Sequence, residues 1–140
     1  MDGSVAPPDD PDISSDANLL RRIHPSWIKP DPIAGHRIAS GAFQDLTDED
    51  GTRAMSVFVE DRLVELGYSA VDLVAGLPGF GLAAISAGLV RELGLTVTWA
   101  PSPKDGPIGE AHAHVHGKKT GSVQRRLAQA SERRFWPTEG

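Results

Sequence analysis

The stretch AMSVFVEDRLVELG, running from Ala54 to Gly67, decides the fold. Its first half, Ala54 to Glu60, has the β-branched and aromatic alternation of a strand. Its second half, Asp61 to Leu66, changes to a helical spacing and meets Gly67, a residue suited to stop a helix. A strand that hands over to a helix within one residue predicts mixed structure. Downstream, Val71 to Leu77 reads as a further helical turn. Phe80 to Ser86 is a short apolar run whose period fits strand and helix alike. Ala87 to Leu93 reads as a helix closed by Gly94, and Leu95 to Ala100 as a strand. A loop follows from Pro101 to Gly109, then a strand from Glu110 to His116 and a helix from Ser122 to Phe135. The apolar line of that last helix is Val123, Leu127, Ala130 or Ser131, and Phe135. Upstream, Leu19 to Ile28 reads as a strand running into an irregular, proline-marked segment. A second extended piece spans Ile38 to Phe43 and ends in the acidic loop Asp45 to Gly51. The expectation is one α+β domain with a mixed or antiparallel sheet of about four or five short strands and three or four helices.

Composition bounds the function. The chain has 140 residues, 39% of them hydrophobic and 24% charged, as in ordinary globular proteins. It has no cysteine, which excludes disulfides, thiolate metal sites and a cysteine nucleophile. The longest apolar stretch, Ala70 to Val90, is broken by Asp72, Pro78 and four glycines, so it reads as core and not as a membrane span. Residues 1–11 hold neither a basic n-region nor an apolar h-region, and a cytoplasmic protein is expected. The net charge of −5 is uneven. Asp2, Asp9, Asp10, Asp12 and Asp16 place five acids and no base in residues 1–17, a Pro-, Asp- and Ser-rich tail expected to be disordered, with the domain occupying 18–140. Between Gly117 and Trp136 the balance is +5.

Two motifs carry possible chemistry. In Ala111 to Gly117, strand alternation points His112, His114 and His116 to one face. Imidazole is a metal ligand, a nucleophile and a proton carrier near neutral pH. The row is also readable as polar residues on an exposed strand face. Next to it, Gly117-Lys118-Lys119-Thr120-Gly121-Ser122 joins a strand to a helix. Backbone N–H groups, lysines and hydroxyls there form a candidate anion pocket, with a plain turn and an N-cap at Thr120 or Ser122 as the alternative. It lacks the spacing of a Walker loop. Arg125 and Arg126 of the following helix extend the cationic surface towards phosphates. The glycines from Gly79 to Gly81 match a dinucleotide fingerprint only loosely, and no serine has a nucleophile elbow around it.

The HAHVHG run resembles the motif of the histidine-triad nucleotide hydrolases and transferases over His112 to Lys118. That resemblance implies attack on phosphate by the middle histidine, here His114; the preceding segment, Pro101 to Glu110, has no asparagine. As an ordered set, RRIHPSW (Arg21 to Trp27), SGAF (Ser40 to Phe43), MSV (Met55 to Val57) and HAHVHGKKT (His112 to Thr120) is similar to a group of short uncharacterised bacterial proteins. His112 and Lys118 to Thr120 follow that group's pattern, and His114 and His116 depart from it. The group implies no reaction.

The leading expectation is a non-enzymatic binding or accessory domain, without cofactor or metal, that engages an anionic partner. Nucleotide, nucleic acid and acidic protein surface all qualify. The surface expected to do so is the corner of His112, Lys118, Lys119, Thr120, Ser122, Arg125 and Arg126, with the aspartate tail as an internal competitor. The alternatives are a phosphoester-processing enzyme using His112, His114 and His116, and a protein-binding partner of a neighbouring gene product that uses the Trp27, Phe43 and Phe58 region.

Overall fold

Sequence alternation places Met55, Val57 and Val59 on one side of the central strand and Ser56 and Phe58 on the other, so this strand separates two cores. The computed structural model describes residues 9–31, 35–47 and 53–135. Nine strands are found among them: β1 (Asn18–Ile23), β2 (Ile28–Asp31), β3 (Gly35–Ile38), β4 (Leu46–Thr47), β5 (Arg53–Val59), β6 (Gly81–Ser86), β7 (Thr96–Trp99), β8 (His112–His116) and β9 (Glu132–Phe135). Three α-helices join them: α1 (Glu60–Glu65), α2 (Ala87–Glu92) and α3 (Gly121–Ala130), with short 3-10 turns at 25–27, 40–43, 70–73 and 103–111. The main sheet has the order β7-β8-β5-β1-β6-β9, with β4 added beside β5, and β2 and β3 form a separate ribbon. Every pairing is antiparallel. The α+β class is as expected, and the strand count exceeds the four or five read from sequence. The ambiguous run before Ser86 is a strand, because it fills the ladder beside β1 over six residue pairs.

One face of the sheet buries Leu19, Ile23, Val57, Ile85, Val97 and Val115 beneath α2, α3 and the turn at 40–43. The other buries Leu20, Phe58, Leu63, Leu73 and Leu82 beneath α1 and the turn at 70–73. On that second face the cover stops short of β7 and β8. His112 and His114 therefore border a cavity instead of a core.

Two expectations are corrected. The last helix ends at Ala130 and not at Phe135. Ser131 leaves helical geometry (φ −69°, ψ 146°), and the chain beyond it pairs with β6, whose outer edge would otherwise show unmet backbone groups. Phe135 accordingly is 38% exposed rather than part of the helical core line. The expected disorder of residues 1–17 also fails over 9–17. Ile13 and Ala17 are buried. The Asp10 N–H donates to the Val97 carbonyl (2.8 Å) and Asp9 Oδ2 lies 2.8 Å from Arg91 Nε. Arg91 Nη2 further donates to the carbonyls of Asp10 and Ile13 (3.0 and 2.7 Å). The acidic composition is outweighed here because a single large side chain, Ile13, supplies the anchor and Arg91 donates to the carbonyls. Residues 1–8 lie outside the described set.

Ile13→Ala should therefore cost about 2–5 kcal/mol of stability, measured by denaturant unfolding; a disordered residue would give no change.

Candidate functional site

Strand β5 makes two successive ladders along one edge. It pairs with β1 at Phe58 and Val59 and with β4 at Arg53 and Ala54. Between these ladders the two neighbours separate, and Arg21 closes the gap. Its Nη1 donates to the Ser56 carbonyl (2.8 Å), Nε to the Ala42 carbonyl (3.0 Å) and Nη2 to the Gln44 carbonyl (3.4 Å). Burial lowers the Arg21 pKa to about 10, with the charge of Asp45 opposing the shift, so the group stays cationic at neutral pH. A guanidinium has five N–H donors, of which these bonds use three, and Arg21 also lines the cavity described next.

That cavity encloses about 790 Å³ on the second face of the sheet. Strand β1 contributes Arg21 and Arg22, β5 contributes Ser56 and Phe58, and β8 contributes His112 and His114. The segment Ala100 to Asp105 forms one wall; Trp27 and Phe80 supply aromatic surface. Arg22 lies over the Phe58 ring (4.8 Å to its centre), and its Nε donates to the Leu73 carbonyl at 2.6 Å. Its Nη1 is 3.8 Å from Asp105 Oδ1, an ion pair longer than a direct hydrogen bond. Burial lowers the Arg22 pKa and Asp105 counters this.

The three histidines do share a face. His114 sits between Ser56 of β5 and Thr98 of β7, its direct cross-strand neighbours. The rings pack edge to face in a row, Phe58 to His112 at 5.2 Å, His112 to His114 at 5.2 Å and His114 to His116 at 5.6 Å between centres. His112 and His114 are each 7% exposed, so the row is not a solvent-facing decoration. Nδ1 of His112 lies 2.7 Å from the Ala100 carbonyl. A carbonyl only accepts, so Nδ1 carries the proton and Nε2 holds the lone pair in the neutral ring. The rings stack and do not converge; among the described residues no three His, Asp or Glu side chains are grouped to hold a metal ion.

The GKKT turn lies at the other end of β8, so the corner expected from sequence is two places. Lys119 is 3% exposed at its side chain. Its Nζ is 2.6 Å from Asp45 Oδ1 and donates to the carbonyls of Val115 (2.9 Å) and Gly117 (2.7 Å). This lysine is bound internally. Gly117 adopts φ +123°, and a Cβ there would stand 2.6 Å from Leu95 Cδ2, so the glycine serves the turn. Thr120 is the N-cap of α3, its hydroxyl accepting from the Val123 N–H (3.1 Å). Lys118, Ser122, Arg125 and Arg126 remain exposed on the outside.

Of the protein-binding region considered from sequence, Phe43 and Phe58 are buried at 0% and 3% exposure, Phe58 and Trp27 line the cavity, and Trp27 is half-buried. His24 caps the turn at 25–27, its Nδ1 accepting from the Ser26 N–H at 3.1 Å. Sequence reasoning assigned no role to Arg21, Arg22, Asp45 or Asp105. The available signal was the pair of adjacent arginines inside the apolar run from Leu19 to Ile23, since alternation along a strand requires at least one of the two charges to enter a core-facing side.

Comparison with known proteins gives no family model, no curated protein and no solved structure that matches this chain. Among the described residues no helix is long and apolar enough to cross a membrane.

Two outcomes are expected. Lys119→Met should cost about 3–5 kcal/mol by stranding Asp45 in a buried position, whereas Lys118→Met should change stability by less than about 0.5 kcal/mol, both read from chemical denaturation. His116 has a pKa below the ordinary 6.5, lowered first by burial and then by the charges of His114 and Lys119, with Asp45 opposing. As pH falls through 6.5, the unfolded chain takes up a proton at this ring that the folded chain resists. The stability present above that pH is therefore lost on acidification, down to the lower folded-state pKa. Replacing His116 by Gln should flatten that part of the pH–stability curve.

Proposed function

We propose that this chain is a binding domain for a small anionic ligand, and that its working surface is the cavity beneath β1, β5 and β8. The supporting observation is the meeting of two arginines from one strand with two buried histidines from another inside a partly apolar pocket. Arg22 spends one donor on the Leu73 carbonyl, which leaves the rest of its fork for an oxyanion. A low local dielectric strengthens such contacts. The aromatic groups and the shape of the pocket match the general character of small-molecule sites, which are concave and largely apolar with a few placed polar groups.

The outer face of α3, with Lys118, Arg125 and Arg126, is the competing surface, suited to extended polyanions. A second reading of the cavity is phosphoester processing by His114, favoured by its position beside His112 and Ser56 and in the same pocket as the two arginines. Release of phosphate from a nucleotide panel, abolished in His114→Ala with the fold intact, would establish that reading.

Calorimetric titration with inorganic phosphate, nucleotides and short RNA at two salt concentrations separates the surfaces. Arg22→Met should weaken binding of small anions by about tenfold or more, and a Lys118/Arg125/Arg126 triple alanine variant should leave it unchanged. Loss confined to the triple variant would move the function to the outer face of α3.

A further inference from the structure

We infer that the ligand of this cavity is a dianionic ester carried on a planar ring, of the aryl phosphate type, and that the Asp105 carboxylate occupies the place its anionic group will take. The inference rests on the anion-binding reading above and goes beyond it in charge, shape and seat.

Charge comes first. Arg21, Arg22 and Lys104 line the cavity against the single carboxylate of Asp105. Counting these four side chains alone, the lining carries two net positive charges. A dianion balances that excess, and a monoanion leaves half of it unmet. Shape comes second. A phosphate group alone fills a small part of 790 Å³, and the remaining wall presents the rings of Trp27 and Phe80. Flat apolar surface favours a stacked ring.

The seat follows from how Asp105 is held. Its loop is closed at the base, where the Ser102 N–H donates to the Gly109 carbonyl (3.0 Å). The far side is anchored as well: Ile108 packs on the second core and Glu110 lies 2.8 Å from Arg62 Nη2. Asp105 therefore stays beside Arg22, yet its carboxylate stops at 3.8 Å. It stabilises the Arg22 charge from 3.8 Å, farther than a close hydrogen bond, so the fork has room for a nearer anion. Gly106, immediately after it, has φ +69° and ψ −147°, a conformation open only to glycine, and it lets the chain turn away there. Asp105 is thus a resident anion that keeps a half-buried guanidinium compensated until a stronger one arrives. An incoming phosphate would make the hydrogen bonds that Asp105 does not, and the carboxylate would rotate towards solvent.

The test is isothermal titration of the whole chain with phenyl phosphate, benzenesulfonate and benzoate, on the parent and on Asp105→Asn, with thermal melting confirming that the variant is folded. Phenyl phosphate should bind the parent more tightly than either monoanion by about tenfold, and Asp105→Asn should tighten phenyl phosphate by several-fold because the competing carboxylate is gone. Equal affinity in parent and variant would overturn the role of Asp105. Equal affinity for phenyl phosphate and the monoanions would overturn the dianion assignment while leaving an anion pocket in place. Failure of all three probes to bind either protein, together with failure of the panel in the preceding section, would overturn both readings.

Discussion

The carbonyl of Ser56 lies between two ladders of the same strand, and the guanidinium of Arg21 is what meets it. An unsatisfied buried carbonyl costs about 1–3 kcal/mol, and here Arg21 serves three such groups on β5 and on the segment from Ala42 to Gln44. Because one side chain bridges them, β1 and β4 can part from one another without leaving β5 bare. The parting opens the second face of the sheet and lets a cationic group stand at the floor of a cavity. Desolvation of the guanidinium is the cost, seen in its lowered pKa.

A second charge system stabilises the same region from the far side. Asp45 follows the segment that Arg21 holds, and it pairs with Lys119, which in turn takes the carbonyls at the end of β8. The arrangement ties the turn at 40–45 to the turn before α3. It also shows why a lysine in a strand–turn–helix motif need not be a ligand group. Burial and backbone carbonyls make Lys119 a fastening, and the neighbouring Lys118 keeps its charge in solvent. At the other end of β8, His112 and His114 line the same cavity as Arg21 and Arg22.

The elements written in local pattern were legible in sequence. The alternation from Ala54 to Val59, the stop at Gly67, the helix before Gly94 and the cap at Thr120 each follow from near neighbours along the chain. What was hidden depends on distant partners. Phe135 leaves its helical line because β6 needs a neighbour, and residues 9–17 fold down because Arg91, some eighty residues away, donates to the carbonyls of Asp10 and Ile13. The candidate site was half visible. The histidine row could be read from alternation, but its sharing a cavity with Arg21 and Arg22 depends on strand order, which joins β8 to β1 through β5. Asp105 and Asp45 carried no local signature at all, since an acid in a loop is ordinarily a solvated one.

Anions are expected to enter the cavity and not to gather on the outer face of α3. The most direct test is nuclear magnetic resonance of the labelled protein during titration with inorganic phosphate, following the arginine Nε–H and the histidine ring signals. Progressive shifts at Arg22, His112 and His114, with Arg125 and Arg126 unmoved, are the predicted result. Shifts confined to Arg125 and Arg126, with the cavity signals constant, would contradict it.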